Sequence, residues 1–287
     1  MDTLTFDGRV AVITGAGGGV GRCHALELGR RGAHVVVNDL GSAVDGTGAS
    51  ASMAQQVVDE ITDAGGTAVA NHDSVATPAG GAAIVQAAID AFGRVDIIVN
   101  NAGILRDAAF QNVTPELLDP VLDVHLKGAF NVTRPAWGHM REQGYGRVIN
   151  TSSGSGIFGN FGQTNYGAAK MGLVGLTHVL AIEGARRGIL VNAIAPIART
   201  RMTAELMGER GEQLDPELVT PIVVYLAHES CDRTAHVYSV GGGKVARVFV
   251  GVTPGLEDRA MTPEQIAASI DQIDDPSSFT IRGGPTS

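Results

Sequence analysis

Near the amino end, the apolar run Arg9-Val10-Ala11-Val12-Ile13-Thr14 breaks into Gly15-Ala16-Gly17-Gly18-Gly19-Val20-Gly21 and resumes as the helix-like Cys23-His24-Ala25-Leu26-Glu27-Leu28. No other stretch leaves the backbone so little choice. The run is apolar at successive positions, which fits a strand buried on both faces, and such strands belong to parallel sheets. The glycines let the chain turn straight from strand into helix and let a ligand approach the backbone closely. At the start of that helix, free N–H groups and the positive end of the dipole form a seat for an anion such as a pyrophosphate. Gly15, Gly18, Gly19, Val20 and Gly21 are therefore candidate contacts to a dinucleotide.

The same alternation runs through the chain. Strand character recurs at 9–14, 33–38, 67–70, 95–99, 146–151, 189–194 and 236–240, and helix character near 19–31, 50–64, 79–92, 115–142, 165–187, 216–228 and 262–273. This predicts an α/β fold with a doubly wound parallel sheet of about seven strands covered on both faces. An apolar content of 44% supplies the core, and 39 glycines suit repeated strand-to-helix crossovers. Thr114-Pro115 reads as a helix start with a capping hydroxyl.

The second strand, Ala33 to Asn38, ends in Asp39. A carboxylate there accepts hydrogen bonds from an adenosine ribose and repels a 2′-phosphate, by roughly 1 to 4 kcal/mol at about 4 Å. Leu40, Gly41 and Ser42 bring no cation, and Arg22 is the one nearby base that opposes the preference. NAD is thus expected over NADP. Asp73-Ser74 is either an adenine contact or a helix cap. Gly41 to Ser52, rich in Gly, Ala and Ser, reads as an adenine-side loop.

Tyr166 and Lys170 stand four residues apart, behind the strand-like Arg147 to Thr151 and Ser153. On a helix, an i, i+4 pair projects from one face. An ammonium beside a phenol favours the phenolate, which makes tyrosine a usable acid/base near neutral pH. Ser153 would hold the substrate oxygen as charge develops on it, with Ser155 as an assistant or a local backbone partner.

Together these residues resemble the short-chain dehydrogenase/reductase family. Its glycine pattern falls on Thr14, Gly15, Gly19 and Gly21, its Asn-Asn-Ala-Gly on Asn100 to Gly103, its catalytic trio on Ser153, Tyr166 and Lys170, and its last strand on Val191 to Pro196. The resemblance implies a Rossmann-type single domain and dimers or tetramers formed through helices 115–142 and 165–187. It also implies cofactor contacts at Asn100, Ala102, Gly103, Pro196, Ile197 and Thr200, with Tyr166 and Lys170 reaching the nicotinamide ribose. Asp96 and Asn101 read as braces. Two positions depart from the family. His125 replaces an asparagine that helps a water relay protons to the lysine, so it is either a relay member or a packing histidine. Pro196-Ile197-Ala198-Arg199-Thr200 differs from the usual segment before the carboxamide-binding threonine.

A narrower resemblance extends from about residue 5 to about 275. Val37 to Gly41, Asn101 to Asp107, Gly159 to Gln163, His228 to Cys231 and Met261 to Glu264 are similar to the dehydrogenase part of peroxisomal multifunctional enzyme type 2 and its stand-alone bacterial relatives. That group oxidises (3R)-3-hydroxyacyl-CoA. The resemblance implies an acyl-CoA or steroid-like substrate, with Arg106, Arg199, Arg201 and Lys244 as candidate cations for coenzyme A. A 17β-hydroxysteroid dehydrogenase, a 3-oxoacyl carrier-protein reductase and a silent NAD-binding scaffold are the alternatives; Asp39 opposes the second and the intact trio opposes the third.

Residues 1–243 are expected to form the dehydrogenase domain and 244–287 an extension packed on the core or on a neighbouring subunit. In the extension, Lys244 to Val250 alternates like a strand, and Thr262 caps a helical stretch. A net charge of −9 argues against nucleic-acid or anionic-membrane partners. Two separated cysteines suit a reducing compartment, the eight histidines show no metal-ligand spacing, and no apolar run spans a bilayer. With no basic signal start and a terminal Pro285-Thr286-Ser287 unlike a peroxisomal address, the cytoplasm is expected.

Overall fold

Strand β1 (Val10–Thr14) lies inside an eight-stranded sheet of order β3-β2-β1-β4-β5-β6-β7-β8. This is a computed structural model describing residues 3–48, 50–200 and 214–282. The strands are β2 (His34–Asn38), β3 (Thr67–Asn71), β4 (Ile97–Asn100), β5 (Gly146–Thr151), β6 (Ile189–Pro196), β7 (Val237–Gly241) and β8 (Lys244–Val248). From β1 to β7 every pairing is parallel. The edge strand β8 returns antiparallel to β7, with Tyr238 opposite Arg247. The sheet thus has one strand more than expected, formed by the alternating start of the extension.

Alternate residues of each strand feed two cores. Ala11 and Ile13 pack with Val35, Val37, Ile97 and Val99 against α1 (Gly19–Arg30), α2 (Ser52–Asp63) and the helix Thr220–Ala227. Val10 and Val12 pack with Val36, Ile98 and Val148 against α3 (Pro78–Phe92) and, further along the chain, helices that include Val132, Met140 and Ala181. Two-sided burial explains why the strands read as continuous apolar runs. The winding reverses between β1 and β4. That reversal opens a crevice at the carboxyl ends of both strands, where open α/β sheets bind ligands.

The 115–142 stretch is divided into α4 (Pro115–Leu122), a π-helical turn (Asp123–Lys127) and α5 (Gly128–Gln143). Pro120 has no N–H for the carbonyl of Glu116, which instead accepts a bond from Arg106 Nη1 at 2.6 Å. Thr114 stands at the N-cap of α4 without a side-chain capping bond. A short helix not evident in the sequence, α6 (Gly154–Phe158), precedes α7 (Thr164–Gly184). In the extension, Thr262 and Gln265 form a reciprocal capping box, but the helical stretch divides into Pro263–Ala268 and Ile270–Ile273. The strand Thr280–Arg282 pairs antiparallel with Val250–Val252, apart from the main sheet.

Candidate active site

At the end of β1, the Thr14 hydroxyl accepts the backbone N–H groups of Asn101 at 3.0 Å and Ala102 at 3.1 Å. The Asn101 side chain donates back to the carbonyls of Thr14 and Gly15, both at 3.0 Å. The glycine turn is thereby laced to the loop after β4. A Cβ on Gly21 would lie 2.3 Å from the Gly15 carbonyl oxygen, so only glycine fits there. Helix α1 has Gly18 at its N-cap, with no side-chain cap and no acid in its first turn. Its leading N–H groups are therefore available to an anion.

Asp39 accepts Gly17 N–H on one carboxylate oxygen and Gly41 N–H on the other, each at 2.7 Å. It pins the glycine turn to the loop that follows β2. A cavity of about 390 Å³ runs from here along the crevice, lined by Gly15, Gly18, Gly19, Val20, Asp39, Asp73, Ser74, Ala102, Gly103 and Thr200. The expected cofactor contacts at these positions thus surround one space, and an uncapped helix start with a carboxylate beside it fits a dinucleotide. Arg22 is paired with Glu60. Asp73 does not cap a helix: its carboxylate accepts Asn71 Nδ2 at 2.8 Å, while Thr77 caps α3.

Other expected contacts lie apart from that cavity. Asn100 turns inward, donating to Thr133 of α5 and Asn150 of β5 at 2.9 Å each, and acts as a core bridge between these elements and β4. Gly21 is packed behind the turn, Pro196 ends β6, and Ile197 beyond it is exposed.

The carboxyl end of β5 delivers the next group. Ser153 is the N-cap of α6, and its hydroxyl accepts Ser155 N–H at 3.2 Å and favours ionisation of Tyr166. On α7, Lys170 lies one turn beyond Tyr166, with its ammonium 5.5 Å from the tyrosine ring centre and 2.6 Å from the Thr151 carbonyl. Burial pushes Lys170 down to about 7. Tyr166 is raised by burial, opposed by the Ser153 hydroxyl, with Asp107 adding to the rise. The expected depression of Tyr166 by Lys170 is therefore not seen. A buried ammonium that must itself be stabilised, and that is turned to a carbonyl, does not offset the desolvation of the phenol.

His125, in the π-helical turn, stacks edge-on against Tyr166 at 5.1 Å. Its Nε2 lies 2.8 Å from the Ile104 carbonyl and 3.1 Å from the Ile104 nitrogen. Burial first, then the Lys170 charge, lowers its pKa well below the ordinary value. The ring is therefore neutral at pH 7, and its near-neutral ordinary pKa does not apply here. Nδ1 has no protein partner, nor do Asn100 Oδ1 and Thr151 Oγ1. A pocket of about 10 Å³, the size of one water, is lined by Thr14, Asn100, His125 and Lys170. A Cβ on Gly103 would meet the His125 ring at 2.3 Å, so glycine there is what admits the histidine.

Sequence reasoning missed Asn165. It is buried, donates to the carbonyls of Arg106 and Leu117 at 2.8 Å each, and accepts Tyr166 N–H at 2.7 Å. Its position beside Tyr166 was the only signal. Among the proposed coenzyme A cations, Arg106 is engaged by two backbone carbonyls, Arg199 and Lys244 are exposed, and Arg201 lies outside the described residues. Phe110, Phe158 at the end of α6 and Phe161 are exposed by 78%, 75% and 91%, which leaves apolar surface on the segments next to Ser153 and Tyr166. Among the described residues there is no metal-binding cluster and no helix long and apolar enough to cross a membrane.

A model of the short chain dehydrogenase family matches residues 9–211. A short-chain type dehydrogenase/reductase of Mycobacterium tuberculosis is 55% identical over 277 residues, covering 96% of this chain and 97% of that protein. Hydroxyacyl-CoA dehydrogenase ChsB1 of the same organism is 40% identical over 267 residues, covering 86% and 81%. The solved structure of full-length peroxisomal multifunctional enzyme type 2 from Drosophila melanogaster has a TM-score of 0.82 at 39% identity and covers 98% of this chain. The match takes in 48% of that longer chain, so this chain spans about half of it.

Proposed function

The chain belongs to the short-chain dehydrogenase/reductase family of oxidoreductases, and we propose that it uses NAD to interconvert (3R)-3-hydroxyacyl-CoA and 3-oxoacyl-CoA. The observation that carries the reading is the grouping of Ser153 and Tyr166 with Lys170, on the same sheet edge as the Asp39 cavity. The similarity to a hydroxyacyl-CoA dehydrogenase supports the substrate class.

In the oxidative direction, Ser153 orients the 3-hydroxyl oxygen and Tyr166 takes its proton. Bound NAD supplies the hydride acceptor. Burial raises the tyrosine and lowers the lysine. In the tautomer that donates Nε2–H to the Ile104 carbonyl, the neutral His125 has Nδ1 free as an acceptor beside the pocket it shares with Lys170, which suits handing protons onward without carrying charge. Asp39 receives the adenosine ribose and disfavours a 2′-phosphate. The extension from residue 244 adds β8 to the core sheet, and its remainder is read as packing on the core or on a neighbouring subunit. The exposed Phe130 of α5 and the exposed Val179 and Ile182 of α7 favour a homodimer or homotetramer built on those helices.

The test is a panel of (3R)- and (3S)-hydroxyacyl-CoA thioesters and 17β-hydroxysteroids, each with NAD and NADP. Highest kcat/KM is expected for (3R)-thioesters with NAD. Preference for NADP throughout overturns the Asp39 reading, and preference for steroids or (3S)-thioesters overturns the substrate.

A further inference from the structure

The loop after Asp39 is built as a strap over the cofactor cavity. Its base is closed by Ser50 N–H on the Leu40 carbonyl at 3.0 Å, and its tip is tightened by Ala43 N–H on Thr47 at 2.8 Å. Ser42, Ala43, Val44 and Gly46 line the cavity from this side, opposite the glycine turn. The adenine end alone does not hold the strap. It crosses to the segment after β4, where Leu105 N–H donates to the Val44 carbonyl at 2.9 Å and Arg106 Nε donates to the Asp45 carbonyl at 2.9 Å. A side chain on Gly46 would press on Ile104 at 3.1 Å.

Arg106 is held from behind as well. Its Nη1 occupies the Glu116 carbonyl left free by Pro120, and its own carbonyl accepts Asn165 Nδ2. One guanidinium therefore joins the strap to α4, and one backbone unit joins both to the residue that positions Tyr166. Lysine at this point makes one such bond but not both, because only the planar fork reaches two acceptors at once.

We propose that Arg106 is a positioning residue that fastens the strap over the dinucleotide, so that it governs cofactor retention rather than coenzyme A binding. This rests on the cofactor reading given above. The experiment measures NAD and NADP affinity by protein fluorescence for the wild type, Arg106→Ala, Arg106→Lys and Gly46→Ala, alongside KM for a hydroxyacyl-CoA and the matching hydroxyacyl-pantetheine. The expected result is an NAD Kd raised on the order of tenfold in Arg106→Ala, for the loss of two charge-assisted bonds. Partial recovery is expected in Arg106→Lys, a rise in Gly46→Ala, and no change in the ratio of the two thioester KM values. An unaltered NAD Kd in the Arg106 variants overturns the proposal, as does a KM rise confined to the coenzyme A ester. If Arg106→Ala does not fold, the Lys and Gly46 variants decide alone. A wild type that binds NADP but not NAD refutes the Asp39 reading, and the strap is then judged on the same ratios with NADP.

Discussion

Lys170 holds its ammonium 5.5 Å from the centre of the Tyr166 ring and donates to the Thr151 carbonyl rather than to the phenol. The Ser153 hydroxyl is the group that favours ionisation of the tyrosine. On the proposed reading, acid/base work thus falls on Tyr166 rather than on the lysine. Tyr166→Phe is expected to lower kcat by roughly 10² to 10⁴-fold, the usual weight of a general acid/base. NAD affinity and the melting temperature should stay close to the wild type. Activity within tenfold of the wild type would remove Tyr166 from the mechanism.

Lys170 makes stability depend on pH. Its folded pKa of about 7 lies below the ordinary 10.5, so between these values the unfolded chain binds the extra proton. Stability therefore rises with pH across that window, and below it the full cost of burying the charge is present. That cost is on the order of 5 kcal/mol as an upper figure. Lys170→Met should be more stable than the wild type at pH 6 in urea melts, by roughly 2 kcal/mol or more after the loss of the Thr151 bond. The gap should shrink toward pH 10; a gap independent of pH would contradict the burial argument.

How much could be read beforehand differs from element to element. Strands buried on both faces, the glycine turn and the i, i+4 pair on α7 were legible because each is fixed by local composition and period. The break in the 115–142 helix was written in Pro120, yet its consequence was not, since the partner that takes the freed carbonyl is Arg106 from another loop. Asn100 was placed with the cofactor by its motif, but its role depends on Thr133 and Asn150, both distant in sequence. Desolvation set the ionisation of Tyr166 and His125, and burial of that depth belongs to the assembled fold.

His125 separates relay from packing. As a neutral ring donating Nε2–H to the Ile104 carbonyl, it has Nδ1 free as an acceptor beside the pocket it shares with Lys170. An asparagine can offer a similar acceptor there, and alanine cannot. His125→Ala is expected to lower kcat about tenfold and shift the acid limb of the pH–rate profile, whereas His125→Asn keeps most of both. An acid limb unchanged in both variants would leave His125 as a packing residue wedged over Gly103.

On the proposed reading Asp39 sets the choice of cofactor, and it accepts two backbone N–H bonds as well. Asp39→Asn retains an oxygen acceptor but removes the charge that repels a 2′-phosphate. The ratio of NAD to NADP affinity should fall by roughly 10- to 100-fold, within the 1 to 4 kcal/mol expected of that repulsion. Binding of both dinucleotides by titration calorimetry gives the ratio directly, and a ratio equal to that of the wild type would assign the discrimination elsewhere.

The extension tests where the domain ends. Strand β8 covers the edge of β7 along its whole length, from Val237 opposite Val248 to Gly241 opposite Lys244. Truncation after Gly243 strips that cover and leaves β7 as a bare edge, open to pairing with other chains. Truncation after Phe249 keeps β8 and removes the paired strands Val250–Val252 and Thr280–Arg282. The shorter protein should therefore melt lower and aggregate, with the longer one intermediate in oligomer stability by light scattering. If truncation after Gly243 yields a stable, fully active oligomer, then β8 contributes nothing to the sheet and the domain closes at β7.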